Sequence, residues 1–428
     1  MIMNKFKFVL STMVLSGGLL SCTSSDEIDS GHTEYVNMLS NPEPIELTQE
    51  QRLFAYDNNG FTLNFLKSVN NADKSGKSFI YSPLSITYVL GMVNDAAIGQ
   101  TEQELEQTLG FRQGGIKAVN DYCKKLIDGL PKVDNKVTLN IANALFVNQN
   151  KATLKAQYQK DMKQYYDAKA ENLNFKSSSA LKTINGWVND HTNGMIPKIL
   201  DRIDENVLTY LLNAVYFKAD WSNKFDPKNT KNESFTTSMD AIQLPLMHQE
   251  VLIQYNKNDI YSAIEMPYGN GYWTMTVMLP EEGKSTDDII NSLSADGLRG
   301  GAYRPHEVDL KLPRFETSSD TDELEGGLIS LLKGMGIHLV FNSDFAEIPN
   351  MCEDSNLYIS MMRQKAKIKV NEEGSEAAAV TVAATYEATS VGPVEYPKAT
   401  FHANRPFVYA VSEASSGVIL FVGKFTGK

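Results

Sequence analysis

One stretch decides how this chain folds: Asn371-Glu372-Glu373-Gly374-Ser375-Glu376-Ala377-Ala378-Ala379-Val380-Thr381-Val382-Ala383-Ala384-Thr385, running on through Tyr386-Glu387-Ala388-Thr389-Ser390 to Gly392-Pro393. A solvated loop is normally rich in Gly, Pro, Asn and Asp, which supply turn conformations. The sixteen residues from Ser375 to Ser390 contain none of these. At a period of two, one face carries Ser375, Ala377, Ala379, Thr381, Ala383 and Thr385, all small. The other carries Glu376, Ala378, Val380, Val382, Ala384 and Tyr386. Such a pattern suits a strand that slides into a packed sheet, where bulky or charged side chains would clash. An alanine-rich helix is the competing reading. Alanine favours helix, whereas Val380, Thr381, Val382 and Thr385 favour strand. From the stretch alone both stay open.

Strands surround it in the second half of the chain. Val308, Leu310 and Leu312 alternate with polar residues before it, and Phe407 to Val411 and Val418 to Val422 are apolar runs after it. Ser262 to Pro267 and Trp273 to Leu279 flank Gly269-Asn270-Gly271, a hairpin signal. Leu211 to Phe217 is nearly continuous apolar, as a strand covered on both faces should be. Val137, Leu139, Ile141, Leu145 and Val147 mark another strand.

The first half reads as helical. Ser82-Pro83 is an N-cap followed by proline at the first helical position, and Leu84 to Ala97 is apolar on nearly every side. Thr101-Glu102-Gln103-Glu104 reads as a capping box, with Gly110 as the stop. Leu181, Ile184, Trp187, Val188 and His191 recur at helical spacing, so His191 is expected to pack against Trp187. Helices mostly first and strands mostly later predict an α+β fold. No linker-like break separates residue 46 from the C-terminus, which predicts one large domain over 46–428.

At the other end, Lys5 and Lys7 precede an apolar run from Phe8 to Leu20, too short to span a membrane. This predicts a cleaved secretory signal. Leu19-Leu20-Ser21-Cys22 resembles the bacterial lipobox, which implies residues 1–21 as a lipoprotein signal and a lipid on Cys22. Ser24-Ser25-Asp26-Glu27 resembles the acidic export tag of Bacteroidetes surface lipoproteins, implying an outer-membrane location. Residues 22–45 are polar, little patterned, and read as a flexible tether. With Cys22 lipidated, Cys123 and Cys352 are expected as buried free thiols.

Chemistry is conspicuous by exclusion. The 428 residues carry 52 acidic against 40 basic side chains, a formal charge of −12, and no Lys/Arg cluster, so nucleic acid is not an expected partner. There is no G-x-S-x-G, HExxH, P-loop or GxGxxG, and no Cys/His spacing that would hold zinc. Neither an enzyme nor a cofactor is expected.

The run Asn371 to Ala379 closely resembles the hinge of an inhibitory serpin. The resemblance extends over about residues 48–428. It includes Ser82-Pro83-Leu84-Ser85-Ile86, Asn143-Ala144-Leu145-Phe146, Ile184-Asn185-Gly186-Trp187-Val188-Asn189, Leu212-Asn213-Ala214-Val215-Tyr216-Phe217-Lys218, Leu312-Pro313-Arg314-Phe315 and Asn404-Arg405-Pro406-Phe407. The resemblance implies three β-sheets, about eight or nine helices and an exposed reactive-centre loop at about 374–398. It implies a monomeric suicide inhibitor of serine or cysteine endopeptidases.

The same resemblance assigns the hinge to Glu372, Gly374, Ser375, Glu376, Ala377, Ala378 and Ala379, with Gly374 giving backbone freedom and Ser375 the first side chain to be buried. It assigns a buried polar shutter to Ser82, Ser85, Asn213 and Gln364, where the family often has His in place of Gln364, and the breach to Trp221. Family spacing puts the attacked bond at Ala388 and Thr389, within a window from Thr385 to Gly392, because the loop beyond Ala388 looks longer than usual. A small residue there implies elastase-like or subtilisin-like proteases. The absence of Lys and Arg between Val370 and Lys398 argues against trypsin-like ones. The alternatives are a non-inhibitory serpin that acts as a binding module, and a surface glycan-binding lipoprotein.

Overall fold

The structure, a computed structural model, describes residues 43–111, 114–294, 303–353, 357–375 and 395–428. The helices are α1 (Gln49–Ala72), α2 (Pro83–Ala96), α3 (Gly99–Leu109), α4 (Gly115–Gly129), α5 (Ala156–Tyr166), α6 (Ser179–His191), α7 (Thr286–Ser292) and α8 (Gly327–Gly334). The strands are β1 (Phe79–Tyr81), β2 (Thr138–Asn148), β3 (Lys169–Leu173), β4 (Thr209–Asp220), β5 (Lys231–Thr236), β6 (Ala241–Lys257), β7 (Tyr261–Tyr268) and β8 (Trp273–Pro280). They continue with β9 (Arg304–Pro313), β10 (Phe315–Asp320), β11 (Met362–Val370), β12 (Gly374–Ser375), β13 (Lys398–His402), β14 (Phe407–Glu413) and β15 (Ile419–Phe425). The α+β expectation holds.

Among the described residues, six strands form one sheet in the order β10-β11-β12-β4-β2-β3. The others form a nine-stranded network, β1-β15-β14-β8-β7-β6-β9-β13 with β5 on β6. Hydrogen bonding runs continuously through that network because the 17-residue β6 serves both β7 and the group of β5, β9 and β13. Alternate residues of β4 serve two cores: Leu211, Val215 and Phe217 join the large core beneath the sheet, and Tyr210, Leu212 and Ala214 pack with Ile184 and Val188 of α6 on the opposite face. Burial on both faces is why this strand reads as nearly continuous apolar sequence.

Helix α2 is buried on all sides and packs against α1, α4, α5, β4 and β15. Ser82 does occupy its N-cap, but the hydroxyl makes no capping bond; proline at the next position removes one orphan donor instead. The expected capping box at Thr101 is not one. Helix α3 begins two residues earlier, at Gly99, and Thr101 lies inside it, buried, accepting from the backbone N–H of Glu347. Glu347 in turn takes the Gln100 N–H with its carboxylate, across 247 residues. A tertiary cap has replaced the local one. Gly110 ends α3 at φ 86°, as expected. Cys123 and Cys352 are buried and not joined in a disulfide, and His191 lies on Trp187 with ring centroids 4.5 Å apart, on the exposed side of α6. The described part of the chain from Pro42 onward is one compact unit. The signal, Cys22 and most of the tether lie outside the described residues.

Candidate functional site

Strands β4 and β11 run parallel at the centre of the six-stranded sheet. They pair directly from Met362 opposite Leu211 to Ala366 opposite Val215. Beyond that point β12 stands between them, with Ser375 opposite both Val370 and Ala219, and Gly374 opposite Asp220. The two strands are therefore splayed at one end, with the beginning of the decisive stretch wedged in antiparallel to both.

A two-residue reversal makes the wedge. Asn371 N–H donates to Gly374 O (2.9 Å) and Gly374 N–H to Asn371 O (3.2 Å), so Glu372 and Glu373 form the turn. Backbone donors from Trp221 and Phe225 hold that turn at Glu373 O (2.8 Å) and Glu372 O (3.0 Å), and Trp221 Nε1 donates to Asn371 O (2.9 Å). Glu372, 5% exposed, accepts from Arg314 through both carboxylate oxygens and from Thr230 Oγ1 (2.6 Å). Burial raises the Glu372 pKa, but these bonds outweigh it and hold the carboxyl below its usual range. Glu373 pairs with Lys224 (2.7 Å), which also reaches Asp220 (2.9 Å).

Both hinge residues have fixed places. Gly374 sits at φ 152°, a backbone conformation that side-chain-bearing residues rarely adopt, and a Cβ there would lie 2.1 Å from Ala219 O, so close approach to β4 also requires glycine. Ser375 is fully buried, its Oγ 2.7 Å from the hydroxyl of Tyr268. Burial pushes the Tyr268 phenol far above its ordinary pKa, so it stays a neutral hydroxyl. Tyr268 in turn stacks on Trp221 with centroids 4.3 Å apart and planes at 12°. Glu376, Ala377, Ala378, Ala379, Ala388 and Thr389, and the rest of the window Thr385 to Gly392, lie outside the described residues.

Further along the seam, where β4 and β11 still pair, the four residues named as shutter converge. Gln364 is fully buried. Its Oε1 accepts from Ser82 N–H (3.0 Å), and its Nε2 lies 2.9 Å from each of Ser82 O, Ser85 Oγ and Asn213 Oδ1. Ser85 Oγ donates to Asn213 Oδ1 (2.6 Å), and Asn213 Nδ2 donates to Asn143 Oδ1 (2.8 Å). The network ties α2, β4, β11 and β2 together at the point where the splay ends. Ser82 Oγ and Asn143 Nδ2 are buried there without a hydrogen bond among the described residues. Leaving a buried polar atom unpaired costs roughly 1–3 kcal/mol, so this junction is held by polar bonds yet is not optimised.

A chain of this overall architecture has counterparts among known proteins. The family model of the serpins, serine protease inhibitors, matches residues 56–427. The chain is a serpin. Neuroserpin of Gallus gallus is 32% identical over 367 residues, covering 82% of this chain and 87% of that protein. Antitrypsin of Bombyx mori is 30% identical, covering 86% and 92%. Among solved structures, the thermophilic serpin Tengpin in its native state superposes with a TM-score of 0.78 at 26% identity, covering 92% of this serpin and 98% of that chain. Thyroxine-binding globulin in complex with thyroxine gives 0.75 at 27% identity, covering 88% and 99%.

Sequence reasoning missed Tyr268, Thr230 and the partnership of Arg314 with Glu372. Arg314 stood within a recognised motif, without a role. Nothing in the sequence marks Tyr268, which meets Ser375 across 107 residues.

Proposed function

We propose that this serpin is a suicide inhibitor of serine endopeptidases with small-residue specificity. The protease attacks a carbonyl at Ala388, or within Thr385 to Gly392, and forms an acyl-enzyme. The freed arm then extends β12 down the seam and drags the protease with it, distorting the oxyanion hole on which deacylation depends. The single observation that carries this reading is β12 itself, seated between β4 and β11 with Ser375 buried.

Extending its register gives the path. Each residue after Ser375 meets one residue earlier in both flanking strands. Ala377 falls between Ile368 and Phe217, Ala379 between Ala366 and Val215, and Thr381 between Gln364 and Asn213. The small face therefore turns toward the core, as Ser375 does. Arrival of Thr381 requires the Gln364–Asn213 bond to part, which makes that bond the point of resistance.

On the sequence features at the other end, residues 1–21 are a lipoprotein signal, 22–45 a tether and 46–428 the inhibitory domain, monomeric and held at the outer membrane by a lipid on Cys22. Incubation with an elastase and electrophoresis under denaturing conditions tests the proposal. A covalent band carrying both proteins, with the cut mapped by mass spectrometry between residues 385 and 392, is the expected result. Clean cleavage without a complex would instead favour a non-inhibitory binding role.

A further inference from the structure

Strand β11 is gripped from both sides. It pairs with β4 from Met362 to Ala366 and with β10 from Lys365 to Val370, so the two pairings overlap only beside Gln364. A strand held equally on two sides has no preferred side on which to yield. Here the two grips differ in kind.

Toward β10 the grip is ionic. Arg363 and Lys365 flank Gln364 and stand opposite Leu212 and Ala214, on the face that carries α6. The Arg363 guanidinium takes both oxygens of Asp320 as a fork, Nε to Oδ1 (2.8 Å) and Nη2 to Oδ2 (2.5 Å). Its Nη1 reaches Asp322 (2.9 Å), and Lys365 Nζ lies 3.1 Å from the Asp320 carboxylate. The Arg363 and Asp320 side chains are 10% and 12% exposed, so water and salt screen the pair little. Burial raises the Asp320 pKa, but its bonds from Arg363 outweigh that and hold it below the usual range. Gln364 is held from this side as well. Its N–H donates to Thr321 Oγ1 (3.0 Å), which donates back to Gln364 O (3.4 Å), and Thr321 follows directly on β10.

Toward β4 the grip is neutral. It consists of the bonds among Gln364, Asn213 and Ser85, with Ser82 Oγ and Asn143 Nδ2 left unpaired beside them. A charged group does cross the seam here, Lys365, but through one exposed bond to Lys198 O (3.2 Å), past the end of α6. Forked bonds between ions are roughly twice as strong as neutral ones, and they fix direction as well. We propose that the Arg363–Asp320 fork decides which side of β11 yields: it keeps β11 on β10, so that the sheet opens toward β4 and the cut bait enters there. Arg363 and Asp320 are thus positioning residues, acting on the bait's path through β11. The proposal rests on the insertion reading above. Without the fork β11 yields on either side and entry slows. Water then hydrolyses the acyl-enzyme first, which frees the protease and leaves a cut, spent inhibitor.

Two measurements on the full chain test this. In hydrogen exchange of the uncut protein, amides that bridge β10 and β11 should open about tenfold less often than those that bridge β4 and β11. D320N and R363Q should erase most of that difference. With elastase, the bait of D320N should be cut at the wild-type rate, yet about threefold more inhibitor should be consumed per protease trapped. R363K, which keeps the charge but not the fork, should fall between in both measurements. Ile289→Val, buried in α7 against β8 and β14 and away from this sheet, is the control: it should lower the melting temperature at wild-type stoichiometry. Wild-type stoichiometry in D320N, an equal rise in Ile289→Val, or a wild-type β10 side that opens as often as the β4 side overturns the proposal. If the wild type traps no protease, the insertion reading falls, and the exchange difference alone then upholds or overturns the role of the fork.

Discussion

At the scale of a single residue, the proposed inhibition turns on Ser375. It is fully buried, faces the core, and bonds the neutral hydroxyl of Tyr268. An arginine there would have to bury a guanidinium beside Tyr268 without a counter-ion, at a cost of several kcal/mol. Ser375→Arg should therefore expel β12 and turn the inhibitor into a substrate, cleaved by elastase with less than a tenth of the wild-type yield of covalent complex. A complex retained at wild-type yield would refute the role given to this side chain. Sequence alone made Ser375 small and first in line; it took Tyr268, on a distant strand, to show why its hydroxyl matters.

Between elements, the seam of β4 and β11 is held at two points of different chemistry. At the shutter the bonds are neutral. Gln364→Ala would strand Ser82 N–H and leave a cavity, lowering stability by roughly 2–4 kcal/mol. Denaturant unfolding should report that loss, together with more spontaneous insertion or association. At the turn the bond is ionic, so it responds to acid. The Glu372 carboxyl is held below its ordinary value near 4.5. Its contribution is thus complete above that pH and is lost as pH falls through the lower folded value. Stability of the wild type should drop more steeply below pH 4.5 than that of Glu372→Gln; equal slopes would mean that the Arg314 pair anchors nothing. The motifs around Ser82, Asn213 and Arg314 were visible in the sequence. Their convergence was not, because the partners of Gln364 stand 151 and 282 residues away.

For the molecule as a whole, the splayed seam means that the native sheet leaves pairing unmade. A cut in the bait should let it form, adding a strand bonded on both sides. At about 1 kcal/mol per hydrogen bond, some ten new bonds would raise the melting temperature by on the order of 10 °C or more for a domain of this size. Calorimetry of intact and elastase-cut chains checks this, and equal melting temperatures would exclude insertion. On the proposed mechanism the native form is a kinetically held state, and Glu372 with Arg314 fastens the turn from which insertion would proceed.

By itself the sequence determined the α+β class, the serpin family, the central strand β4, the buried α2 and the small face of the segment after Gly374. All of these are carried by residue type and short-range period, since burial selects apolar or small side chains at regular spacing. Only the tertiary structure decided that the hinge is already a turn and a wedge, that Gly374 answers to Ala219, that Glu347 rather than Thr101 caps α3, and that Gln364 meets Ser82, Ser85 and Asn213. Those are meetings of residues far apart in the chain, and no local pattern encodes a partner's identity when the fold alone brings it within 3 Å.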